Sequence, residues 1–273
     1  MEETVKKSRM PVILIIFILA LSFTACDDVF TSGWGSPREY SVGNINLTVN
    51  NVDRWFDRSI GNPPLAMRVN EAILIRLADP NLSPEERRIF QIYGIRIAVA
   101  SSNMGVIILS NALTILTDMA DGLSDEEMAN LLKDMLGKIQ NDFRNAGGGA
   151  AAESIVQLIF HDIIPGTEPT FHPDSFVRDA NPSDVAKTIM VLTLAETENR
   201  DMDIDDWDNF ELEEVGLRLN AEGNKVIPID AHPSDTLLAL AAYLNLVNNE
   251  PQFDDNFLLG PIREAFFSGN EAN

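Results

Sequence analysis

The stretch IAVASSNMGVIILSNALTILTDM, Ile97 to Met119, decides what kind of protein this is. It reads either as a membrane span or as the central helix of a globular core. Asn103, Ser110, Asn111, Thr114, Thr117 and Asp118 recur along one side of it at helical spacing. A helix that is apolar over most of its surface but keeps a polar edge belongs inside a folded domain. The expectation is one core helix over 97–119 rather than a span.

The flanks support a helical domain. Ser83-Pro84-Glu85-Glu86 and Ser124-Asp125-Glu126-Glu127 are two nearly identical helix starts, each with a serine and, three places on, a glutamate. The serine oxygen can accept from the glutamate N–H while the carboxylate reaches back, and acidic first turns suit the helix dipole. The helix predicted over 124–143 puts Met128, Leu131, Leu132, Met135, Leu136, Ile139 and Phe143 on one face. Upstream, Leu65 to Leu77 is helical in pattern and ends at Asp79-Pro80. Downstream, AGGGAAAE, 146–153, reads as a flexible join before a helix over 152–164 that stops at Pro165-Gly166.

Two related phrases follow, ANPSD at 180–184 and AHPSD at 231–235, each before an apolar helix, VAKTIMVLTLAE and TLLALAAYLNLV. In both, Ser or Asp is the expected cap. Between them a hairpin is expected over Val215 to Asp230, turning at Glu222-Gly223-Asn224, and a last helix over Phe257 to Phe267. The capped starts are unequally spaced, so a solenoid repeat is open but not demonstrated. The fold class predicted is mainly α: an antiparallel helical bundle or an irregular, solenoid-like helical repeat with a small β-hairpin.

The N-terminus has a different character. Lys6, Lys7 and Arg9 precede VILIIFILALSF, Val12 to Phe23, which is apolar except for Ser22. As a helix it reaches about 18 Å, short of the ~30 Å bilayer core. A basic start, a short apolar core and small residues make a secretory signal. It ends Phe23-Thr24-Ala25-Cys26, with the only cysteine of the chain. This resembles the lipobox of bacterial lipoproteins, and the bulky Phe23 is closest to the spirochaetal kind. The resemblance implies that Cys26 takes a diacylglyceryl group on sulfur, that cleavage before it makes it the first mature residue, and that palmitate-like chains tie the protein to a membrane. Two or three acyl chains anchor stably where one is marginal.

The expected organisation is therefore a signal peptide over 1–25, a lipidated N-terminus and tether over 26–63, and an acidic helical domain over 64–270. Within the tether, Trp34, Trp55 and Phe56 argue that its later part packs on the domain, and NINLTV, 44–49, is a candidate strand. The expected location is a bacterial cell membrane or outer membrane, facing periplasm or cell surface.

The chain carries a formal net charge of −22, and losing residues 1–25 would remove three positive and two negative charges. Such acidity disfavours nucleic acid, so no nucleic-acid partner is expected, and surface charge would not hold the protein on anionic lipid. With no second cysteine, internal disulfides and thiolate metal sites are excluded.

Catalytic motifs are sparse. Of the three histidines, His161 with Asp162 resembles the dipeptide of HD-type phosphohydrolases, yet that family also needs an upstream histidine, which is missing. Ser154, Gln157 and His161 instead form a polar helix stripe, and His172 and His232 each precede a proline. In NRDMDIDDWDNFELEE, 199–214, Asp201, Asp203 and Asp205 resemble the first ligands of a calcium loop. The sixth and twelfth places, however, hold Asp206 and Leu212 instead of Gly and Glu. Nucleophile-elbow, phosphate-loop and dinucleotide motifs are absent. No catalytic residue, metal ligand or cofactor is expected. The function expected is a non-catalytic, lipid-anchored interaction module with an envelope protein partner. A ligand-binding accessory of a transport system, loosely resembling the TRAP-transporter-associated helical-repeat lipoproteins, and a hydrolase are the alternatives.

Overall fold

The computed structural model describes residues 45–104, 106–107, 134, 137–159, 181–200, 218–219, 225–226, 234–250, 253, 259 and 263. Six helices have defined bounds: α1 Val52–Ser59, α2 Pro63–Leu77, α3 Pro84–Ser101, α4 Gly148–Ile159, α5 Pro182–Asn199 and α6 Asp235–Asn249. Residues 137–145 are also helical where described. Two two-residue strands, β1 Arg218–Leu219 and β2 Lys225–Val226, pair antiparallel with Arg218 opposite Val226 and Leu219 opposite Lys225. The rest of 215–230, including the expected turn, lies outside the described residues, as do the helix expected from Ser124 up to 133 and most of 257–267. The fold is mainly α, as expected.

Residues 45–48 are not a strand but an irregular segment that buries Ile45 and Leu47. Asn51 explains why: its Oδ1 accepts from Thr48 N at 2.9 Å and its Nδ2 donates to Asn46 O at 2.9 Å, folding the segment back onto the start of α1. Val52 and Phe56 continue the same core. The folded unit thus begins at or before Ile45, within the span expected as tether.

α2 starts two residues earlier than its apolar pattern suggests. Pro63 and Pro64 occupy its first positions, where a missing N–H costs nothing, and Asn62 Oδ1 accepts from Leu65 N at 3.3 Å. The end of α2 and the start of α3 are joined by side chains. Asp79 Oδ1 accepts from Asn81 N and Nδ2 at 2.9 and 3.1 Å, and Arg87 Nη1 donates to Leu77 O at 2.9 Å. The α3 capping box is complete: Glu86 N donates to Ser83 Oγ at 3.2 Å and Ser83 N to Glu86 Oε2 at 3.0 Å.

Residues 97–119 are not one helix. α3 ends at Ser101, and Asn103 turns left-handed at φ 54°. The Ser101 and Ser102 hydroxyls donate to the Ala98 and Val99 carbonyls at 2.6 Å each, and Met104 N donates to Ser102 Oγ at 3.2 Å. Side-chain bonds of this kind compete with the helical ladder. The core reading of the segment holds for its described part, since Ile97, Ala98, Val99, Met104 and Ile107 are buried. Among the described residues no helix is long and apolar enough to cross a membrane.

The glycine run is not a flexible join. Only Gly147, at φ +80°, breaks the chain, and Gly148 already belongs to α4. The Phe143 ring lies against Gly148, in the space a side chain there would need. α3 packs against α1, α2, α4 and α5, and α4 also meets α5 and α6.

The repeated phrases use different registers. In ANPSD the cap is Asn181, whose Oδ1 accepts from Ser183 N at 2.9 Å, with Pro182 in the first turn. In AHPSD the cap is Ser234, whose Oγ accepts from Leu237 N at 3.0 Å. Asparagine caps well and histidine does not, so the first helix starts before its proline and the second after it.

Candidate functional site

A polar cluster among the described residues centres on Arg96. It sits in the apolar run GIRIAVA, where helix periodicity carries its neighbours Ile95, Ile97 and Ala98 into the core. Its guanidinium carbon stands 4.1 Å from the centroid of the Phe56 ring and 5.4 Å from that of Tyr93. Those two rings meet edge to face at 6.1 Å. Arg96 Nε lies 2.9 Å from Asp184 Oδ2, but its N–H is misaligned, so the contact is one of charge without a hydrogen bond from Nε. Asp184 reaches this position because Asn181 takes the cap and leaves Asp184 in the first turn of α5.

Below this pair, Thr188 Oγ1 donates to Asp184 O at 2.7 Å, and the Tyr243 hydroxyl bonds to Thr188. Burial pushes the Tyr243 phenol far above its ordinary range, and the Thr188 bond opposes that only in part. The phenol is therefore neutral. The cleft between Ile92, Ile95, Val185 and these polar groups measures ≈ 10 Å³, room for about one water. It cannot take a metabolite. Its chemistry is that of a fastener: a cation held between two rings and a carboxylate joins α1, α3 and α5.

A second polar cluster ties α5 to α6. The buried Glu196 accepts from Arg200 Nε at 2.7 Å and from Ser234 Oγ at 2.5 Å. Ser234 thus caps α6 and holds α5 at once. Among the described residues, no group of three or more His, Cys, Asp or Glu is placed to hold a metal.

The outer face of α2 differs from both. Met67 is 56% and Ile75 62% exposed, while Leu65, Ala66, Val69, Ala72, Ile73 and Leu77 on the other side are buried. Apolar side chains thus lie on the exposed as well as the buried side of this helix, beside the exposed Glu71.

Of the residues singled out in the sequence, Cys26, His161, His172, His232 and the acidic stretch beyond Arg200 lie outside the described residues. The Arg96 cluster was not anticipated. Its signal was available: an arginine within the apolar run GIRIAVA needs a partner, and the sequence offers Asp184 only as a candidate cap. No family model, no curated protein and no solved structure matches the chain.

Proposed function

We propose that this chain is a lipid-anchored protein of a bacterial cell envelope, and that its helical domain is a non-catalytic module that meets a protein partner there. The observation that carries the reading is the sequence Phe23-Thr24-Ala25-Cys26 after a short apolar run. A sulfur placed there has the context in which lipoproteins are acylated. The module part draws support from the polar clusters of α3, α5 and α6, whose described groups are spent on joining helices, and from a cleft with room for only about one water.

The test is metabolic labelling with palmitate. Wild type should incorporate label and appear at the processed size, whereas Cys26→Ala should stay unlabelled and unprocessed. Equal labelling of the two would refute the anchor. For the module, crosslinking of the anchored protein in its own envelope should recover a defined partner, and recovery of none above background would count against it.

A further inference from the structure

We propose that the cleft beside Arg96 is a binding site for one structural water, which completes the helix fastener described above and extends it to α6. The proposal stands whether or not Cys26 is acylated. Size limits the occupant first. The cleft measures ≈ 10 Å³, the space of about one water-sized sphere. Three helices wall it: Arg96 comes from α3, Asp184, Val185 and Thr188 from α5, and Tyr243 from α6. Apolar cavities of this size stay dry, but four of these five residues carry polar groups.

Hydrogen-bonding capacity limits the occupant next. Arg96 Nε is buried and its N–H has no hydrogen-bond partner, since Asp184 Oδ2 lies at 2.9 Å but out of line with it. A buried donor in that state is costly, and a guanidinium cannot shed its proton to escape the cost. The occupant must therefore accept from Nε–H. It must also donate, because its other neighbours offer acceptors. The Asp184 carboxylate has lone pairs, and Thr188 spends its proton on Asp184 O, which leaves its oxygen free to accept. Charge narrows the choice further. A cation would meet the guanidinium and an anion would meet the carboxylate, each at close range. A neutral molecule that both accepts and donates, and fits the volume of one water, is water itself. Held there, it accepts from Arg96 on α3 and donates toward Asp184 or Thr188 on α5, beside the Tyr243 phenol of α6. The Arg96–Asp184 contact thereby gains, through water, the directed bond that its own geometry lacks.

Two measurements on the full chain in non-ionic detergent test this. In nitrogen-15-labelled protein, the Arg96 Nε–H proton should show dipolar cross-relaxation with the water line, of the sign that marks a residence longer than nanoseconds. Oxygen-17 relaxation dispersion should then count about one fewer long-lived water in Val185→Ile, which adds a methylene at the cleft wall, than in wild type. Oxygen-17 reports only water oxygens, so exchanging hydroxyl protons of Thr188 and Tyr243 cannot mimic that loss. Absence of cross-relaxation at Arg96 Nε–H in the wild-type chain overturns the proposal, and so does an unchanged count in a folded Val185→Ile. Should that variant not fold, the wild-type measurement decides alone. Neither result bears on the labelling of Cys26, so failure here leaves the anchor standing and failure of the anchor leaves this site standing.

Discussion

Gly94 and Gly137 both stand in helical stretches, yet the structure gives them opposite weights. A Cβ at Gly94 would lie 2.7 and 2.9 Å from the two methyls of Leu158 and 3.3 Å from Asn70 Oδ1. Leu158 is fully buried and cannot swing away, so α3 and α4 would have to separate. Gly94→Ala should lower stability by about 1–3 kcal/mol, the usual cost of overpacking. A Cβ at Gly137 meets nothing within 4 Å. There Gly→Ala should raise stability by about 0.5–1 kcal/mol, because alanine loses less backbone entropy on folding. Urea unfolding of the two variants beside wild type reads the sign directly, and shifts in the same direction would contradict the packing described. Neither role was legible in the sequence. Both glycines sit in helical pattern, and only the approach of a second helix distinguishes them.

At the level of the element, side-chain caps could be read in kind but not always in register. The box Ser83-x-x-Glu86 was legible because both halves lie within one turn of chain. It should contribute about 1 kcal/mol, lost in Ser83→Ala. Its acid dependence follows from Glu86, whose carboxyl is held below the ordinary value of 4.5, first by the Ser83 N–H and then by the Ser83 hydroxyl. A group with a lowered folded pKa stabilises above its unfolded value and ceases to do so as pH falls through the folded one. The destabilisation caused by Glu86→Gln should therefore be present at neutral pH and fade below about pH 4.5 toward the lower folded value. Thermal melts of both proteins across that range check this, and a gap that persists at about pH 2 would show that the carboxylate charge is not its source. ANPSD and AHPSD show where such reading stops. The choice between a cap before the proline and one after it depends on a single residue, Asn181 against His232, and on whether an arginine waits for the aspartate. Arg96 waits for Asp184, and it comes from a helix 88 residues upstream. The same limit applies to 97–119, where most of the described apolar residues are buried as expected but Asn103, read as part of a polar edge, is where the backbone turns.

Over the whole molecule, the mainly α character was visible because it rests on local periodicity and caps, which a linear sequence displays. The arrangement around α3 was not, since the Arg96 cluster assembles from four helices and each contributes one or two unremarkable residues. Charge is a property of a third kind, legible in full without any coordinates. A net −22 spread over 273 residues repels itself in any compact state. Unfolding lets those charges separate, so screening should help the folded form more than the unfolded one. The melting temperature should accordingly rise as sodium chloride increases from about 10 mM to 150 mM, over which the screening length falls from about 30 Å to 8 Å. The opposing contribution comes from ion pairs such as Arg144–Glu198 at 3.1 Å and Arg76–Asp79 at 3.2 Å. These surface pairs weaken in salt, but each contributes no more than about 1 kcal/mol. Melts in a non-ionic detergent, with sucrose in place of salt as the control for general solute effects, separate the two. A melting temperature that falls with salt would mean that the paired charges outweigh the unpaired excess. A rise in salt alone would assign the main electrostatic term to the acidity of residues 102–273.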